Sequence, residues 1–352
     1  MKIVILTPFF WPNINGMTLS CHRHAEIISS ENPGCKINFL YINGLRFTTY
    51  SFTDLPFNFK LQNKSWRNAV KVLESADVII LEGWSHILLF VFSLCMNKKR
   101  ILFSHGSHFP TNYKLFSILK FVMRQLLFCV PNILILFSRV RFITLSSNPD
   151  YMRFRDVLLF KLLKRRFFVI PNTSFCDNVK NNIIDSDVFN NKYFMVGVGD
   201  DNKGQLEIVK YWISIDKFGE LHLYFPVKNH YTSEIESLIC NNEIKNVQVY
   251  YGLSRQQIWS VTQSYKALIV NSKTECQSLV VIDALANNVK VVSTRVGQYF
   301  DEYDRHFFYF DRGKRESFLN ALSNAENSSE VHIVGNLFST KLYRNLFNYQ
   351  DL

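Results

Sequence analysis

The sequence predicts an α/β protein of two doubly wound domains facing each other across a cleft. Two observations lead there. Short apolar, β-branched runs alternate with stretches of helical periodicity through the first half of the chain. An Asn/Asp-rich stretch then interrupts the alternation, which afterwards restarts. The 352 residues are enough for two domains of ordinary size, each with its own core.

The elements follow in order. Ile3–Leu6 is a short buried strand, and Met17–Ser30 spaces its apolar residues for one helix face. Lys36–Ile42 is a strand, Ser65–Glu74 a helix, Asp77–Leu81 a strand and His86–Asn97 an apolar helix. Arg100–Ser104 is a strand, and Tyr113–Phe137 a helix broken at Pro131. Phe142–Ser146 is a strand, Asp150–Lys164 a helix, and Phe167–Ile170 a strand that stops at Pro171. These make an N-terminal domain over residues 1–172, with a linker over 173–191.

Strands at Tyr193–Val198, His222–Phe225, Val247–Tyr250, Ala267–Asn271 and Val289–Thr294 follow. They are separated by helices at Gly204–Ile213, Tyr231–Cys240, Ser254–Ser264 and Ser278–Ala286, and Gly313–Ala325 is a further helix. This second domain spans 192–335, and a last helix lies in 336–352. In such sheets ligands sit at the C-terminal strand ends, so the loops there are where chemistry is expected.

Composition narrows the function. Hydrophobic residues make up 47% and charged residues 20%, a globular balance. The first apolar run is too short for a signal peptide, and neither Ile87–Met96 nor Leu126–Phe137 approaches the ~20 residues of a spanning helix. The seven Cys form no CxxC pair, which suits a reduced cytosolic chain with buried thiols. His105-x-x-His108 has no nearby Cys or acid to complete a metal site.

The net charge of +11 is one block. Lys98–Arg166 holds 14 Lys/Arg against Asp150 and Asp156, a local +12, so the rest of the chain sums to −1. Within it Lys114, Lys120 and Arg124 interleave with Leu, Ile and Phe, a pattern too apolar for a fully solvated helix. It is expected to lie on an anionic membrane, with packing inside the first domain as the alternative. No nucleic-acid module accompanies the block, so a polynucleotide partner is not expected.

Four strand-end loops carry candidate chemistry. Asn271-Ser272-Lys273-Thr274-Glu275-Cys276-Gln277-Ser278-Leu279 leaves a strand and opens a helix with Ser278 as its expected N-cap, a geometry that holds phosphate. Glu275 precedes the helix and Asp283 lies inside it. Spacing alone leaves open whether these acids bind a ligand, or whether Glu275 is a surface acid and Asp283 pairs with a neighbouring base. Val196-Gly197-Val198-Gly199-Asp200-Asp201-Asn202-Lys203-Gly204-Gln205 makes a similar turn, with Asn202 as expected cap and Lys203 placed to meet a phosphate. Asn15-Gly16 follows the first strand and Ser104-His105-Gly106 another. There is no GxGxxG and no Walker motif, so nicotinamide and P-loop chemistry lose support.

Together these residues resemble the GT-B-fold glycosyltransferases of family 4, retaining nucleotide-sugar transferases of bacterial surface-polysaccharide pathways. Glu275-x7-Asp283 resembles that family's acidic pair, and Val291–Gly297 the strand and turn after it. Gly197 to Gly204 resembles the loop with the phosphate-binding base, Ile170-Pro171-Asn172 the turn into the linker, Asn15-Gly16 the glycine loop and His105 the first-domain histidine. The resemblance implies that Glu275 contacts the donor sugar, that the amides of Cys276 to Leu279 hold sugar and diphosphate, and that Asp283 binds the ribose. It gives Lys203 the diphosphate and His105 the transferring sugar, with Glu275, Lys203 and His105 as catalytic residues. Gly16, Asn15 and Gly197 then belong to the donor site. Val198 stands where the family has Arg, Asp283 where Glu is usual, and Asn15-Gly16 where a Gly pair is usual.

The implied activity moves a sugar from a nucleotide-sugar donor to a glycan or polyprenyl-diphosphate-linked acceptor, with retention. Lys203 and the helix at Ser278 would face the charge building on the departing diphosphate, so no metal or other cofactor is expected. Asp185-Ser-Asp187 has the spelling of a metal-binding pair but falls in the linker. The expected location is the cytoplasm, peripheral on the inner face of the membrane. The competing functions are a GT-B sugar-nucleotide epimerase and a basic nucleic-acid or membrane-binding protein without catalysis.

Overall fold

The computed structural model describes residues 1–7, 16–43, 46–51, 66–82, 93, 96–104, 133, 135, 140–144, 167–170, 172, 191–213, 215, 218–262, 264–275, 277–297 and 306–328. The chain divides into two compact units, Met1–Asn172 with Ser339–Leu352, and Thr173–Phe338.

The first unit is built on a seven-stranded sheet ordered β3-β2-β1-β4-β5-β6-β7. Its strands are β1 (Lys2–Thr7), β2 (Lys36–Asn43), β3 (Arg46–Ser51), β4 (Val78–Glu82), β5 (Lys99–Ser104), β6 (Val140–Thr144) and β7 (Phe167–Val169). All neighbours run parallel except β2 and β3. Strands β1, β4 and β5 read as unbroken apolar runs because both faces are covered. Helix α1 (Gly16–Glu31) sets Cys21, Ala25 and Ile28 into the core with Ile3, Ile5, Phe39 and Phe103. Helix α2 (Trp66–Glu74) buries Ala69 and Leu73, four apart and so on one face. Sequence periodicity missed β3. Its signal was Gly44-Leu45, a Gly-X pair of the kind that joins hairpin strands, and the register pairs Asn43 with Arg46.

The second unit is built on a fully parallel six-stranded sheet ordered β10-β9-β8-β11-β12-β13. The strands are β8 (Lys192–Val196), β9 (Glu220–Phe225), β10 (Val247–Tyr251), β11 (Ala267–Val270), β12 (Lys290–Thr294) and β13 (Phe307–Phe310). Helices α3 (Gln205–Trp212), α4 (His230–Asn241), α5 (Arg255–Thr262), α6 (Leu279–Ala286) and α7 (Arg315–Asn327) accompany them. Trp212, Tyr193, Leu221, Leu223 and Phe318 make the centre of the core. The Trp212 indole donates to Gly219 O at 3.2 Å, and the Tyr193 hydroxyl to Glu326 Oε1 at 2.6 Å, so both large aromatics are buried with their polar ends satisfied. Strand β13 also escaped the periodicity, because four successive aromatics have no alternation to read.

In both sheets the strand order reverses beside the first strand, between β1 and β4 and between β8 and β11. Crossovers leave in opposite directions there, which opens a crevice at the strand ends. The predicted helices at 150–164 and 338–348, all of that at 113–137 but residues 133 and 135, most of that at 86–97, and the linker at 173–190 lie outside the described residues.

Candidate functional site

The crevice of the second sheet brings together two loops predicted to carry chemistry. One follows β8 and runs from Gly197 to Gly204; the other follows β11 and runs from Asn271 to Ser278. They are stitched to each other through main-chain and side-chain hydrogen bonds. Lys273 N donates to Asn202 O at 2.8 Å, Asn202 Nδ2 to Thr274 O at 3.4 Å, and Thr274 Oγ1 to Asn202 Oδ1 at 3.2 Å. This corrects the expected cap: Asn202 does not cap α3, because its side chain is engaged across the loop pair. The residue before α3 is instead Gly204, at φ 64°. Only glycine enters that backbone region without strain. A Cβ there would also stand 2.6 Å from Asn271 Nδ2 and 2.8 Å from Asn271 O.

Lys203 is fixed at both ends. Its amide donates to Asp200 Oδ1 at 2.8 Å. Its stem passes over Gly197, where an added Cβ would lie 3.5 Å from Lys203 Cε. Its ammonium forms an ion pair with Glu275 Oε1, which also accepts from Ser272 Oγ at 2.8 Å. Lys203 and Glu275 remain 27% and 14% exposed, so the pair is sheltered but reachable. Around it is a shallow pocket lined by Lys203, Gln205, Asn271, Ser272, Glu275 and Ser278, with the ends of β8 and β11 as its apolar floor.

The amides of Gln205 and Asn271 are oriented by main-chain acceptors. Gln205 Nε2 donates to Val198 O and Asn271 Nδ2 to Gly204 O, each at 3.0 Å. Their oxygens are buried and have no donor among the described residues. The pocket therefore holds one cation already answered by a carboxylate, with two buried amide oxygens behind its wall.

Ser278 stands at the N-cap of α6 as predicted, at φ −73° and ψ 122°, but its side chain makes no cap hydrogen bond. The first turn of α6 still carries the positive end of the helix dipole. Asp283 lies within α6 as predicted and is only 4% exposed; it is not among the residues lining this pocket. The structure thus joins Lys203, Gly197, Glu275 and Ser278 in one place and leaves Asp283 out of the pocket lining. Gln277 is buried and Leu279 begins α6. Gly16 opens α1 in the first unit. Asn15, His105, Lys114, Lys120, Arg124, Cys276 and the Asp185/Asp187 pair lie outside the described residues.

Sequence reasoning missed several members. Asn271, Ser272 and Gln205 stand in the quoted motifs without a role. The crevice of the first sheet holds another polar cluster the sequence did not announce. His24 Nδ1 donates to Glu82 Oε1 at 2.7 Å, with the two side chains 1% and 0% exposed. Ser20 Oγ donates to Asn172 Oδ1 at 3.0 Å beside them. Burial, and secondarily the Glu82 carboxylate, push the Cys21 thiol well above its usual range, so it stays protonated.

No protein-family model and no curated sequence matches the chain. Solved structures do. HepE of Anabaena, in complex with UDP, superposes with a TM-score of 0.66 over 98% of this chain and 95% of its own, at 13% identity. A glycosyltransferase of Rickettsia africae gives 0.65 over 98% and 92%, at 14% identity. WaaG, a glycosyltransferase involved in lipopolysaccharide biosynthesis, gives 0.61 over 99% and 96%, also at 14% identity. With two doubly wound sheets and near-complete coverage of such proteins, the chain has the α/β GT-B fold.

Proposed function

We propose that this protein is a glycosyltransferase, moving a sugar from a nucleotide-sugar donor to a glycan acceptor, with the donor held in the crevice of the second unit. The observation that carries the reading is the meeting of Lys203 with Glu275 beside the N-terminus of α6. A nucleoside diphosphate sugar needs a cation and helix amides for its phosphates, and acceptors for its sugar hydroxyls. Lys203 and α6 supply the first; Glu275, which stays 14% exposed, supplies the second. The GT-B neighbours solved with UDP and with UDP-glucose support a uridine nucleotide as the first donor to try.

In this reading the bond from the anomeric carbon to the diphosphate breaks while one to the acceptor oxygen forms. Lys203 and the α6 amides hold the charge that gathers on the departing diphosphate. The departing phosphate oxygen takes the acceptor proton, so the new bond forms on the face the old one left, and configuration is retained. The resemblance assigns the ribose to Asp283, which α6 holds only 4% exposed, and the transferring sugar to His105, with Asn15 and Gly16 as further donor-binding residues. No metal is required, since cation and dipole already answer the diphosphate. The acceptor is lipid-linked, as suits a bacterial surface polysaccharide made on the inner face of the cytoplasmic membrane. The basic block carrying Lys114, Lys120 and Arg124 brings the protein there.

The test is a panel of nucleotide sugars with and without glycan or polyprenyl-diphosphate acceptors. Nucleotide released only with an acceptor, and a product of unchanged anomeric configuration by NMR, is the expected result. An isomerised nucleotide sugar without acceptor would instead identify an epimerase, and an inverted product would remove retention.

A further inference from the structure

Strand β13 ends at Phe310, and two residues later a side chain reaches into the loop that carries Lys203. Arg312 Nη2 donates to Asp201 O at 2.6 Å, Nη1 to Asn202 O at 3.2 Å and Nε to Glu207 Oε2 at 3.2 Å. A guanidinium holds these donors in one rigid plane, so three contacts at once fix its position and that of its partners. Glu207 is itself anchored, accepting from Gly313 N and from the Tyr211 hydroxyl, each at 2.8 Å. The clip therefore rests on α3 and not on solvent.

The carbonyls it holds belong to the two residues directly before Lys203. Just after Lys203, Gly204 is wedged: a Cβ there would stand 2.9 Å from Arg312 Nη2 and 2.6 Å from Asn271 Nδ2. The main chain on both sides of Lys203 is thus placed by Arg312 from one side and Asn271 from the other. Val198 stands where related loops carry an arginine, and Arg312 does not replace that lost charge, since its own faces Asp201 and Glu207. Its contribution is geometric. A lysine on a loose loop loses freedom when it binds phosphate; one on a clamped loop has lost most of it already.

We propose that Arg312 is a positioning residue for the donor: it fixes the loop of residues 201–204 so that the Lys203 ammonium is held where the diphosphate binds. This rests on reading the crevice as a nucleoside diphosphate site. The test measures UDP, GDP, ADP and dTDP binding by calorimetry to the full chain, then the best of them with Arg312→Met, Lys203→Met and the double variant. Arg312→Met is expected to weaken binding about tenfold, the scale of one lost polar contact. The double variant is expected to bind within about twofold of Lys203→Met alone, because Arg312 acts through Lys203. Losses that multiply, or an Arg312→Met protein that binds like the wild type, overturn the proposal while leaving the donor site standing. A wild type that binds none of the four overturns both. If Arg312→Met does not fold, Arg312→Lys, which keeps the charge and loses the planar fork, is read on the same scale.

Discussion

Lys203 and Glu275 form an ion pair although 72 positions separate them in the chain. The pair joins the two strand-end loops of the second unit, and each partner has a second task in the proposed reaction. Because both remain partly exposed, the pair adds little to stability, about 1 kcal/mol or less. Lys203→Met is therefore expected to shift the melting point only slightly while lowering kcat by roughly 10²–10³, the usual loss for one donor aimed at developing charge. Glu275→Gln keeps the shape and the Ser272 hydrogen bond, and is expected to leave stability nearly unchanged while raising KM for the donor. Melting curves beside steady-state kinetics decide this. Equal losses of stability and activity would reduce the pair to a structural tie.

Two glycines separate backbone strain from packing. Gly204 and Gly252 have φ of 64° and 67°. A Cβ at Gly252 meets nothing within 4 Å, whereas one at Gly204 meets Asn271 Nδ2 at 2.6 Å and Asn271 O at 2.8 Å. Gly252→Ala is expected to cost about 1 kcal/mol, the backbone penalty alone. Gly204→Ala is expected to cost about 3 kcal/mol, since the loop must also move away from a main-chain atom. Denaturant midpoints measure the difference, and nucleotide binding should fall only in the Gly204 variant.

Much of this site could be read in the sequence, for a physical reason. Apolar runs such as Ile3–Leu6 and Ala267–Val270 are buried on both faces, and the polar clusters after them can only be strand-end loops. What was not legible depends on distance along the chain. Asn202 carries every local mark of a helix cap, yet its side chain is claimed by Thr274, so a tertiary contact overrides the local preference. Arg312 leaves no motif, because its partners at Asp201 and Asn202 lie over a hundred residues away. Asp283 was legible as a helix residue, but its depth was not, since α6 buries nearly all of its residues.

Glu207 predicts an acid limb. Burial raises its carboxyl, but hydrogen bonds from Tyr211, Gly313, Asn271 and Arg312 outweigh that and hold it below the usual glutamate range. In acid the unfolded chain therefore binds this proton before the folded one does. Its contribution is fully present above the ordinary glutamate value of 4.5 and is lost as pH falls through the lower folded value. Glu207→Gln is expected to be less stable than the wild type at pH 7, with the gap narrowing below pH about 4.5. Chemical denaturation across pH 3–7 reads it; parallel curves would mean that the hydrogen bonds favour neither protonation state.

Buried deeper, His24 and Glu82 are 1% and 0% exposed. Glu82→Ala removes the carboxylate that His24 Nδ1 meets at 2.7 Å and is expected to cost about 3 kcal/mol, the upper scale for breaking a buried hydrogen bond. Glu82→Gln keeps an acceptor oxygen and is expected to cost about half as much. Equal costs for the two variants would show that cavity volume, and not the hydrogen bond, sets the loss.

The local +12 over residues 98–166 leads to a different measurement. Each base near an anionic surface contributes about 1 kcal/mol, and the attraction decays over about 10 Å at 0.1 M salt. Sedimentation with vesicles rich in phosphatidylglycerol should therefore be strong at low salt and fall steeply by about 0.5 M, where screening shortens that reach by more than half. Neutral phosphatidylcholine vesicles should capture little. Replacing Lys114, Lys120 and Arg124 together by Gln is expected to weaken capture by about a hundredfold, allowing for incomplete contact of each base. Nucleotide binding in the second unit should survive that triple change, because the residues it depends on carry none of this charge. Equal capture by both vesicle types, indifferent to salt, would place these bases inside the first unit's packing and not on a lipid surface.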